Sequence, residues 1–186
     1  MNIPFSRRLC LPLAILAVVG LPACASSKTT TAAAPAAAVS TPKPTPRPSP
    51  AALTKAQFVT KMEAVCADAD ARMHVATKNQ KTVAGIVTAA QGLLTIYPQY
   101  LKQADALVGR SADKATLTRN WLRLEKSDYA LAEPRLKKYL ADVKALNADA
   151  VAADVKALDA LPNHSEAIAG FMSGYGLKKC AALQNS

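Results

Sequence analysis

Thr54-Lys55-Ala56-Gln57-Phe58-Val59-Thr60-Lys61-Met62-Glu63-Ala64-Val65-Cys66 is the stretch whose reading decides the fold. Threonine followed three residues later by glutamine is a capping box, in which each side chain satisfies a backbone N–H that the first helical turn leaves unpaired. Phe58, Met62, Val65, Ala69, Met73 and Ala76 then recur at spacings of three or four, the period of one helix face. The pattern predicts a first helix ending near Lys78-Asn79, with Cys66 on its inner side.

The same period continues downstream. A second helix is expected from about Thr82, with Val83, Ile86, Val87, Ala90, Leu93, Leu94 and Tyr97 on its apolar side. Pro98 removes a backbone donor and should kink or divide it before Tyr100, Leu101, Ala104, Leu107 and Val108 resume the stripe, with Gly109 at its end. A third helix is expected from Ser111, carrying Leu117, Trp121, Leu124, Asp128 and Leu131 on one face and bent or interrupted at Pro134. Ala148 to Leu161 reads as a short helix or a continuation, and Ser165-Glu166 opens the last one. Gly170, Gly174 and Gly176 loosen that helix or pack it closely against the first. Glycine is otherwise scarce and no alternating β-branched run occurs. The fold expected is all-α, an up-and-down bundle of four to five helices over residues 53–186.

Outward from the bundle the composition changes. Residues 25–52 hold no aromatic and no acidic residue, and proline occupies every second position from Pro42 to Pro50. Such a segment buries too little apolar surface to offset its ordering entropy, so 24–52 is expected to be a disordered linker. Its proline-rich half adopts extended geometry at about 3.1 Å per residue. Residues 1–23 read as an export signal: Arg7-Arg8, an apolar run from Leu9 to Leu21, then small residues before Cys24. That run is short for about 30 Å of hydrocarbon.

Leu21-Pro22-Ala23-Cys24 resembles the lipobox of bacterial lipoproteins, with Pro22 where a small or aliphatic residue is commoner. The resemblance implies cleavage before Cys24 and its acylation. Acyl chains contribute about 0.8 kcal/mol per buried CH₂, so two or more hold a protein stably on a membrane. The expected location is the extracytoplasmic face of the cell membrane, lipid-anchored through Cys24. Of four cysteines, Cys10 leaves with the signal and Cys24 takes the lipid. Cys66 and Cys180 remain in an oxidising compartment and are expected to form a structural disulfide. No CxxC redox pair is present.

Phe58 with Ala64-Val65-Cys66-Ala67, and Tyr175-Gly176-Leu177-Lys178-Lys179-Cys180, look like small exported helical proteins and lipoproteins of actinobacteria. That likeness implies the layout already read, and it implies no activity.

Chemistry-bearing patterns are few. Asp70 and His74 share a helix face, but a zinc site wants three or four ligands and no HExxH or His/Cys cluster exists. His164 reads as a solvated loop residue. No GxSxG, phosphate-binding glycine loop or EF-hand is present, so no catalytic residue, metal site or cofactor is expected. The formal charge is +10, and removing the leader and linker leaves 18 basic against 13 acidic residues. Export argues against nucleic acid as partner and favours anionic headgroups or wall polymers. Arg119, Arg123 and Lys126 lie opposite Trp121 as a solvated face and a secondary docking patch. Glu133–Lys137 and Asp68–Arg72 are helix-surface pairs at i,i+4. Tyr97, Tyr100, Trp121 and Tyr139 could line an apolar pocket between helices.

The expected function is a non-enzymatic, lipid-anchored envelope module that binds an envelope protein or wall component. A core-binding protein for a small apolar or anionic ligand is the alternative, and an envelope enzyme or accessory protein a third reading.

Overall fold

A computed structural model of the protein describes residues 51–185; the expected leader, Cys24 and the linker up to residue 50 lie outside the described residues. Helix α1 (Lys55–Thr77) starts as its capping box requires: the Gln57 N–H donates to Thr54 Oγ1 at 3.3 Å and the Thr54 N–H to Gln57 Oε1 at 3.1 Å. Phe58, Met62, Cys66, Ala69 and Met73 form its buried face.

Helix α2 (Val83–Gly109) is capped by Thr82, whose hydroxyl oxygen accepts the Gly85 N–H at 3.1 Å. Gly85 is required by close approach: a Cβ built there would stand 1.6 Å from the Asn79 carbonyl oxygen. Pro98 lies inside α2 without dividing it.

The third helical run is continuous but not uniform. Short helix α3 (Lys114–Leu117) passes into a π turn (Thr118–Leu122) and then α4 (Arg123–Lys144), which keeps Pro134 within it. The Arg123 N–H reaches back five residues to the Thr118 carbonyl. A π turn takes one more residue per turn than an α turn, so the buried stripe is carried later along the sequence. The core side of the run is Leu117, Trp121, Leu122, Glu125, Tyr129, Ala132, Leu136 and Tyr139. The expected stripe is corrected accordingly: Leu124 and Asp128 are half-buried, and Leu131 is exposed. The start also moves, because Ser111–Asp113 form a turn in which the Asp113 N–H donates to the Ser111 hydroxyl at 3.2 Å.

Helices α5 (Ala148–Asp159), α6 (Ser165–Tyr175) and α7 (Lys178–Asn185) complete the chain. The C-terminal segment divides at Gly176, whose φ of 104° is left-handed and suits glycine. There the Leu177 N–H reaches the Met172 carbonyl at 2.8 Å. Gly170 and Gly174 do not pack closely against α1 as expected, since an added Cβ at either would meet nothing within 4 Å.

The all-α bundle expected from the periodicity is the fold. Helix α1 packs on α2 and α7, α4 on α2 and α5, and α6 on α7 and the π turn. Phe58, Met62, Tyr100, Trp121, Leu136 and Ile168 are buried at the centre. Cys66 and Cys180, both fully buried, are joined in a disulfide with their Cα atoms 5.0 Å apart, fastening α7 to α1. No described helix is long and apolar enough to cross a membrane.

Candidate functional site

Glu125 is a carboxylate in the apolar core, 1% exposed. The π turn aims it inward by placing Trp121 and Glu125 on the buried side of consecutive turns. Four donors from three other parts of the fold converge on it. Oε1 accepts the Tyr97 hydroxyl at 2.9 Å and the Gln184 amide; Oε2 accepts the Tyr100 hydroxyl at 3.2 Å and the Trp121 indole N–H. An ionised carboxylate has about four acceptor sites, and here each is filled by a neutral donor. None of the four is a cation. Burial pushes the Glu125 carboxyl above its ordinary value, against the pull of its hydrogen bonds with Tyr97, Trp121, Gln184 and Tyr100. Burial and the Glu125 charge together push Tyr97 and Tyr100 well above the usual phenol value, which keeps both as donors.

Beside this cluster is a cleft of about 30 Å³ whose walls include Tyr97, Glu125, Asp128, Leu161, Ser165 and Gln184. That is room for a water and far below the several hundred Å³ of a typical ligand chamber.

Of the four aromatics expected to line a pocket, the structure brings three together. Tyr97, Tyr100 and Trp121 meet at Glu125, and Tyr97 stacks on Tyr129 with ring centroids 5.1 Å apart. Tyr139 is not among the groups bonded to Glu125; it is fully buried, its hydroxyl makes no hydrogen bond, and burial pushes its pKa up to about 12. Tyr100, Trp121 and Tyr139 are packed core, and Tyr97 alone of the four lines the small cleft.

His164 lies in the loop where it is expected and is partly exposed, and it is also held by a carboxylate. Its Nδ1 lies 2.7 Å from Asp128 Oδ1, and its backbone N–H donates to Asp128 Oδ2 at 2.9 Å. The carboxylate orients the imidazole and pins the α5–α6 loop to α4. Asp70 and His74 are both exposed, and no group of three or more metal-ligating side chains occurs among the described residues.

No protein-family model, curated protein or solved structure matches the chain.

The remaining outward chemistry is electrostatic. Lys114, Arg119 and Arg123 line an open groove of about 600 Å³ together with Ala112, Ala115 and Thr118. Lys126, grouped with the two arginines on sequence, is instead tied to Asp105 of α2 at 2.8 Å. Lys114 takes its place. It escaped the linear reading because it lies outside the regular helical stripe, ahead of the π turn.

Glu125 also escaped it. A glutamate flanked by Leu124 and Lys126 reads as solvent-facing, and Gln184 is far away in sequence. Only the stripe shift imposed by the π turn turns it inward. The surface pairs Glu133–Lys137 and Asp68–Arg72 do form, at 2.7 Å and 3.4 Å.

Proposed function

We propose that this protein is a lipid-anchored binding module of the cell envelope. Acyl chains on Cys24 hold it to the extracytoplasmic face of the membrane, the Pro/Thr/Ala-rich linker carries the bundle, and the bundle engages an envelope protein or wall component without catalysing a reaction. The observation that supports binding by surface is the closed core: Tyr100, Trp121 and Tyr139 are packed solid, Glu125 is saturated by internal donors, and the adjoining cleft has room for a water. The disulfide fits an oxidising compartment, and the Leu21-Pro22-Ala23-Cys24 signal supplies the anchor.

Inhibiting the lipoprotein signal peptidase with globomycin, or making Cys24→Ala, tests the anchor. Globomycin is expected to shift the apparent mass, and Cys24→Ala to move the protein from the membrane fraction to the medium. A Cys24→Ala variant that stays membrane-bound overturns the reading.

A further inference from the structure

The chain enters the bundle beside the basic groove. The Leu53 N–H donates to the Arg110 carbonyl at 2.7 Å, and the Ala112 N–H donates to the Leu53 carbonyl at 3.2 Å. These two bonds clamp the end of the linker onto the turn between α2 and α3. The groove begins at the next residues, Ala112 and Lys114, and continues along the π turn through Arg119 to Arg123. Arg110, Lys114, Arg119 and Arg123 are all exposed. None of them is in an ion pair among the described residues. Asp113, the carboxylate within this stretch, is engaged by the Tyr175 hydroxyl. The result is a cationic face at the root of the linker.

We propose that this face docks on anionic phospholipid headgroups of the bilayer that carries the Cys24 anchor, so that the bundle has a membrane-facing base. The inference rests on the anchor reading for its setting. Two observations select the occupant, the first favouring a phosphate-bearing surface and the second the bilayer among such surfaces. One is charge complementarity: guanidinium groups present paired donors that match phosphate oxygens, and Arg119 and Arg123 supply two of them along one groove. The other is the place of attachment. Between Cys24 and Leu53 the chain reaches at most about 100 Å, and it pulls on this end of the bundle. The tether thereby raises the local concentration of headgroups at the groove above that of any free partner. Each basic residue held near an anionic surface strengthens partitioning about fivefold at moderate salt, and the effect fades beyond about 8–10 Å.

The test uses the mature chain from residue 24 onward with Cys24→Ser, so that no acyl chain contributes. It is mixed with vesicles of phosphatidylcholine alone or of equimolar phosphatidylcholine and phosphatidylglycerol, and binding is read by co-sedimentation. The chain is expected to bind only the anionic vesicles and to be released as salt is raised. The variant K114Q/R119Q/R123Q is expected to bind ten- to a hundredfold more weakly. K78Q/K81Q/K144Q removes equal charge from exposed residues at the opposite end and is expected to bind within about threefold of the parent. Thermal melts check that both variants fold.

Absence of binding to anionic vesicles overturns the proposal, as do equal losses in the two variants. Retention by soluble polyphosphate through the same residues, with vesicles ignored, assigns the groove to a wall polymer and also overturns it. Because the assay omits the acyl anchor, its failure leaves the anchor reading standing, while the Cys24→Ala fractionation tests that reading alone.

Discussion

Placing one carboxylate among aromatic rings with no cation beside it costs free energy, and Glu125 is kept there by the donors that enclose it. Its raised pKa sets the sign of a pH effect. The folded state holds the Glu125 proton more tightly than the unfolded chain does, whose value is the ordinary 4.5. The stability this group contributes is thus complete below that value and is lost as pH rises through the raised folded value. Glu125→Gln removes the titration. Its new amide N–H groups find acceptors in Tyr97 Oη and, after an amide flip, Gln184 Oε1, so the change is expected to cost under about 1 kcal/mol at neutral pH. Urea midpoints across a pH series should show the parent losing stability relative to Glu125→Gln as pH rises; parallel profiles contradict this. Glu125→Leu leaves the Trp121 N–H and Tyr100 hydroxyl buried and unpaired, an expected loss of about 3 kcal/mol or more. At this scale the sequence was least informative. Helical spacing marks the aromatic partners, but not the acid that organises them, because a lone glutamate between a leucine and a lysine follows the surface rule.

Helix boundaries followed from local chemistry where that chemistry is local. The Thr54/Gln57 box, Thr82 and Gly109 mark ends because each satisfies, or stops needing, a nearby backbone group. The π turn has no such mark, since its five-residue hydrogen bond is chosen by packing of Trp121 and Leu122 rather than by a capping residue. Prolines 98 and 134 are tolerated within long helices whose other contacts hold them. Two ends make opposite use of left-handed backbone. Gly176 adopts it without penalty at φ 104°, whereas Leu146 adopts it at φ 57° while more than half exposed. Leu146→Gly is expected to stabilise by about 0.5–1 kcal/mol, the relief of left-handed strain less glycine's entropy. Gly176→Ala is expected to destabilise by about 1 kcal/mol. Chemical denaturation of the two variants checks both, and shifts of the same sign contradict the backbone argument.

The bundle as a whole was readable from periodicity, since amphipathic stripes joined by short turns have few ways to bury themselves. What periodicity could not give is which long-range neighbours meet. The Asp128–His164 clamp joins α4 to the loop before α6, and Lys138 links α4 to buried Asp154 of α5 at 2.8 Å. Both depend on the path of the chain rather than on spacing. The one long-range pair the sequence names is Cys66–Cys180, since the expected signal and anchor account for Cys10 and Cys24. The bridge spans a sequence separation of 114 residues, for which the chain-entropy relation gives about 4–5 kcal/mol. Urea unfolding with and without reductant should show a fall of up to that size. An unchanged midpoint means that the helix packing alone carries the bundle.

That same crosslink makes the domain a covalent loop nearly from end to end. A single proteolytic nick in any exposed turn between α1 and α7 leaves both pieces tied together and in register. Separating the domain into pieces therefore demands two cuts within that loop, or one cut and reduction of the bridge.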